Sequence, residues 1–93
     1  MLEKEIEERL VKEVEKRGGL CFKFVSPSNP GVPDRIVITP AGRIVFVELK
    51  ATWGRLANIQ KWQTGRMRKL GADVRVVKGL EQMQAFIREV FPA

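Results

Sequence analysis

Histidine and tyrosine are absent from this chain of 93 residues, and cysteine occurs once, at Cys21. Those gaps remove several chemistries together. Without histidine there is no Ser-His-Asp or Cys-His nucleophile and no His-ligated zinc; without tyrosine there is no tyrosyl phosphodiester intermediate. One cysteine forms neither an internal disulfide nor a CxxC zinc pair. Cys21 lies among Leu20, Phe22 and Phe24, the setting of a buried structural thiol. No apolar run approaches the roughly 18 residues that indicate a membrane span. Glu and Lys crowd the start, with no apolar stretch behind them, so a secretory signal is not expected and a cytoplasmic setting is. Catalysis, if there is any, is left to carboxylates, lysines and a metal.

What is present is charge of one sign in excess. Seventeen lysines and arginines stand against eleven acids, a net charge of +6. Such a surface favours a polyanionic partner, because cations that neutralise phosphates release condensed counterions. Charge alone also fits RNA, anionic lipid or an acidic protein. The length suits one domain spanning residues 1–93, burying somewhat more than about 60% of its unfolded surface.

Residues 2–17 read as a helix, with Leu2, Ile6, Leu10 and Val14 at four-residue spacing and Gly18-Gly19 as its stop. Glu7 borders the buried stripe, whereas Glu5, Glu8 and Lys12 point to water. Residues 20–25 predict a strand, and residues 26–31 a loop dense in Ser, Pro, Asn and Gly. A hairpin follows: 35–39 and 43–49 are rich in Ile and Val, with Pro40, Ala41 and Gly42 between them. Residues 53–57 predict a loop, 58–70 a helix with Ile59, Gln63, Met67 and Leu70 inward, 74–77 a strand, and 80–91 a last amphipathic helix. This order indicates a mixed α/β domain with helices against a sheet.

If the hairpin turn is centred on Ala41, Asp34 faces Glu48 across the ladder, and Lys50 lies two residues on, on the same face. Directly opposed residues have Cβ atoms about 4.5–5.5 Å apart, so two carboxylates there repel unless a cation lies between them. A hard divalent ion such as Mg²⁺ suits one or two carboxylates and keeps waters for reaction. Lys50 would offset charge developing on a phosphate or help deprotonate a water. Taken singly, each residue also fits a plain role: Asp34 as a hairpin cap, Glu48 and Lys50 as solvent-face charges. The apolar setting of Val45, Phe46, Val47 and Leu49 favours the joint reading.

Gly31-Val32-Pro33-Asp34, thirteen intervening residues and then Glu48-Leu49-Lys50 resemble the PD-(D/E)xK nuclease motif. Lys23-Phe24-Val25-Ser26-Pro27, the run Val45-Phe46-Val47-Glu48-Leu49-Lys50-Ala51, and Gln60 eleven residues before Gly71 are similar to the VRR-NUC branch of that superfamily. The resemblance spans roughly Leu2 to Lys78. It implies an α/β, restriction-endonuclease-like fold with a central mixed β-sheet flanked by helices. It further implies Asp34, Glu48 and the backbone carbonyl of Leu49 as ligands of Mg²⁺ or Mn²⁺, Lys50 as catalytic lysine, and Gln60 as an amide orienting the site. An acid on the first helix completes the family's set; Glu7 matches best and Glu3 is the fallback. Stand-alone members of this branch imply a homodimer acting on branched DNA such as Holliday junctions. The chain departs from the family after its ExK segment, where Thr52-Trp53 replaces a usual small residue or proline.

For DNA contact, Lys23, Ser26 and Ser28 flank the predicted site and Arg55 and Lys61 surround the following helix. Arg66, Arg68 and Lys69 surround that helix too, but taken singly each of these cations better fits the solvated face and basic end of a helix, favoured by its dipole. Trp53 and Trp62 are expected in the core or a dimer seam rather than stacked on a base. Phe86, Ile87, Val90 and Phe91 are expected in the core, with a seam as second choice. Beside the DNA endonuclease stand two alternatives, a non-catalytic nucleic-acid-binding module of this fold and an RNA-processing nuclease.

Overall fold

The computed structural model describes residues 1–92. Seven elements follow in the order α1 (Glu3–Lys16), β1 (Leu20–Lys23), β2 (Arg35–Ile38), β3 (Ile44–Lys50), α2 (Asn58–Lys69), β4 (Val74–Lys78) and α3 (Gly79–Val90). The sheet order is β1-β2-β3-β4. β1–β2 and β2–β3 are antiparallel, and β4 joins β3 in parallel after the α2 crossover. The expected mixed sheet with helices against it is therefore present.

The core lies on one face of this sheet. Strand alternation turns Val45, Val47 and Leu49 of β3 and Val37 of β2 toward Ile6, Leu10 and Val14 of α1, all fully buried. Met83, Phe86, Ile87 and Val90 of α3 close the same cluster. Cys21 joins it, and burial pushes its thiol up to about 11, as suits a structural cysteine. Among the described residues no helix is long and apolar enough to cross a membrane.

Three expectations need correction, and each has a physical reason. β1 ends at Lys23 rather than Val25, because after one further bond, from Phe24 N to the Asp34 carbonyl, the chain leaves the sheet and Val25 is exposed. The inner side of α2 is polar: Gln63 and Thr64 are its buried residues, whereas Ile59 and Leu70 face solvent. This helix covers the charged end of β3 and the loop before β2, so polar side chains meet their partners there: Gln60 Nε2 donates to Glu48 and Gln63 Nε2 to Pro30 O. Finally, neither tryptophan is in the core. Trp53 is 91% exposed and Trp62 54% exposed, aliphatic side chains of α1 and α3 having filled the interior.

Candidate active site

The β2–β3 hairpin pairs Arg35 with Val47, Ile36 with Phe46 and Ile38 with Ile44, a register centred on Ala41. Gly42 supplies the positive φ that the bend needs, and Thr39 closes it by accepting from the N–H groups of Gly42 and Arg43. One step beyond the last ladder pair, this register sets Asp34 opposite Glu48. Asp34 is fixed from both sides. Its carbonyl accepts from Phe24 N at 2.8 Å, and its Oδ2 accepts from Leu49 N at 2.9 Å. The preceding loop is pressed onto α2: at Gly31, φ is +87° and a Cβ would lie 2.5 Å from the Ile59 carbonyl oxygen. Pro33 is buried behind it.

Glu48 sits mid-sheet with 1% of its surface exposed. Its Oε2 accepts from Gln60 Nε2 at 2.9 Å and lies 3.7 Å from Lys50 Nζ. Its Oε1 is buried and has no partner. Burial first, then the negative charge of Asp34, push the Glu48 carboxyl up to about 8, with Lys50 pulling the other way. Gln60 is held in turn, its Oε1 accepting from Ala57 N at 2.8 Å at the start of α2.

The structure thus brings Asp34, Glu48, Lys50 and Gln60 together. It does not bring Glu7. That carboxylate accepts from Arg35 Nε at 2.7 Å, in a partly buried ion pair between α1 and β2. The helix acid that raises the Glu48 carboxyl is Glu3, one turn earlier. Lys23 on β1, Arg55 in the loop before α2 and Lys61 on α2 are all exposed. Ser26 Oγ accepts from Asn29 Nδ2 at 2.9 Å within the loop, and Ser28 takes a left-handed φ of +67°. Lys78 was not anticipated. It lies beside Lys50 in the parallel ladder, a neighbour that sequence reveals only once the β3–β4 register is known.

The donor set fits a hard divalent cation. An unpartnered buried oxygen on Glu48 stands next to a second carboxylate, with no sulfur or imidazole competing. Among the described residues, no three acidic, histidine or cysteine side chains converge enough to cage an ion alone. Mg²⁺ ordinarily takes only one or two carboxylates and completes its shell with water and substrate oxygens.

Comparison with known proteins gives the following. No family model matches the chain. Over 75 residues, 81% of this chain and 81% of the other, it is 47% identical to "Putative nuclease p44" of Acyrthosiphon pisum secondary endosymbiont phage 1. A solved structure described as "VRR_NUC domain" superposes with a TM-score of 0.83 at 31% identity, covering 92% of this chain and 94% of that one.

Proposed function

The chain belongs to the VRR-NUC nuclease family, and from that premise we propose that it is a Mg²⁺- or Mn²⁺-dependent endonuclease hydrolysing phosphodiester bonds in branched DNA. The observation that carries this reading is the opposed pair Asp34 and Glu48, one oxygen of which is buried without a partner, beside an amine and an amide. Two acids so placed destabilise a sheet, and a cation between them removes the cost.

Asp34, Glu48 and the Leu49 carbonyl would hold the cation, which when bound supplies Lewis acidity at the phosphate and activates a water. The other roles belong to the protein. The Leu49 N–H orients the Asp34 carboxylate, and Gln60 fixes Oε2 of Glu48 so that Oε1 is the free donor. Lys50 opposes negative charge as water attacks phosphorus in line with the departing 3′-oxygen. Glu3, rather than Glu7, is the helix acid in this reading. Lys23, Ser26, Ser28, Arg55 and Lys61 form the phosphate-tracking rim.

A homodimer acting in the cytoplasm of a bacterial or phage-infected cell is part of the same proposal. Its support is an uncovered apolar stretch of the sheet face opposite the core, where Leu20, Phe22 and Ile44 are each about half exposed. A stable interface needs about 800 Å² per partner, and light scattering reads the outcome directly.

The test is a panel of continuous duplex, flap, four-way junction and structured RNA, digested with Mg²⁺, Mn²⁺ or EDTA. Cleavage of branched DNA that needs metal and disappears in Asp34→Ala, with DNA binding retained, is the expected result. An Asp34→Ala protein that cuts like the parent overturns the site. Absence of metal-binding heat in calorimetry, with or without DNA, favours the binding module, and preference for RNA favours the RNA nuclease.

A further inference from the structure

Trp53 has no role in folding that its position explains. At 91% exposure its indole contributes almost no burial, although aromatic side chains are where a small domain gains most from burial. Yet the backbone that carries it is pinned. Gly54 N donates to Ala51 O at 2.8 Å, closing a turn that folds back on the site: a Cβ at Gly54 would lie 3.1 Å from Lys50 Cβ. On the other side Thr52 is wedged against the start of α3, its Oγ1 2.5 Å from where a Cβ at Gly79 would stand. Both neighbours of Trp53 are therefore fixed while its own ring stands free.

The location gives this presentation its meaning. Trp53 lies three residues after Lys50, and such a stretch spans at most about 10 Å. That is about three base steps at 3.4 Å each. The flanking charges are mostly basic, with Arg55 exposed two residues on and Lys78 lining the same groove as Trp53, although Glu81 lines that groove as well. Cations hold the phosphate backbone there, and a flat apolar ring offers a surface to a base. In continuous duplex every base face is already covered by its neighbours, so a free ring finds a partner only where a base is unpaired. Trp62 differs, since the Arg66 guanidinium already lies 4.4 Å from its ring centroid.

We propose that Trp53 stacks on an unpaired base beside the scissile phosphate, and that this contact makes the enzyme prefer branched DNA with unpaired nucleotides over continuous duplex. The inference rests on the nuclease reading above for its cleavage arm and is independent of it for its binding arm.

For cleavage, Trp53→Ala and Trp53→Phe are compared with the parent on a flap substrate and a matched duplex. The flap-to-duplex ratio of kcat/KM is expected to fall about 5- to 150-fold in Trp53→Ala, the equivalent of about 1–3 kcal/mol per stacked base, and to be largely restored in Trp53→Phe. For binding, a Trp62→Phe protein carries Trp53 as its sole tryptophan, and its emission in EDTA is expected to be quenched by flap DNA and not by duplex. An unchanged ratio, or quenching equal for both DNAs, overturns the proposal. So does a Trp53→Ala protein that changes from dimer to monomer, which would make the ring a seam residue. Selective quenching by a protein that cleaves nothing leaves the stacking intact and removes the nuclease reading instead.

Discussion

The side chain of Gln60 joins Glu48 to the first turn of α2, donating from Nε2 to Glu48 Oε2 at 2.9 Å while its Oε1 takes the Ala57 N–H at 2.8 Å. The amide cannot rotate without breaking both bonds, so Oε2 of Glu48 is held and Oε1 is left buried without a partner. Gln60→Ala is expected to raise the metal concentration for half-maximal cleavage about 10- to 100-fold, the usual cost of losing a partner that orients a metal ligand. A metal titration of initial rates checks this; an unchanged midpoint would assign Gln60 to helix capping alone.

The raised Glu48 carboxyl makes the metal-free protein sensitive to alkali. Its folded value of about 8 exceeds the ordinary 4.5, so the proton is held more tightly when folded. That contribution is complete below the ordinary value and is lost as pH rises through about 8, at up to about 1.4 kcal/mol per pH unit between them. In EDTA, the Tm of Glu48→Gln relative to the parent should therefore climb from about pH 5 to about pH 9. Mg²⁺ affinity should rise over the same range, since the cation displaces the proton. Parallel melting profiles would contradict the burial argument.

Glu7 and Glu3 make opposite predictions. Glu7 ties α1 to β2 through Arg35, so Glu7→Gln should cost about 1 kcal/mol of stability and leave metal-dependent cleavage near the parent rate. Glu3→Gln should do the reverse, lowering cleavage with little change in Tm. Denaturation midpoints and rates measured on both variants separate the two acids.

Gly31→Ala tests the loop that delivers Asp34. The left-handed φ costs an L-residue about 1–2 kcal/mol, and the added methyl meets the Ile59 carbonyl at 2.5 Å, so α2 or the loop must move. The expected result is a destabilised protein whose cleavage falls further than its folded fraction does. Gly65→Ala is the control, with open space around it and helix propensity in its favour.

The parts of this fold that follow from local pattern were readable in advance. A turn centred on Ala41 fixed the 34–48 pairing, and period-two alternation put Glu48 and Lys50 on one face of β3. The apolar stripes of α1 and α3 identified their buried sides. What escaped depends on partners remote in sequence. Periodicity assigns apolar residues to the inner face, so it misplaced Ile59 and Leu70 on a helix whose inner face serves a polar site. Glu3 and Glu7 are one turn apart on the same side of α1, and only the position of Arg35 distinguishes them. Likewise nothing local says that a tryptophan beside Lys50 is left outside.

The bend at residues 39–43 acts as a counting peg for the chemistry at the other end of the hairpin, about 20 Å away. Strand neighbours are numbered outward from it, and shifting them by one would seat Asp34 beside a side chain of the opposite face. Length variation in a surface loop is usually the most forgiving change a protein meets. At this bend a lone insertion or deletion is instead felt where phosphate is cut, so the freedom to drift lies elsewhere in the chain.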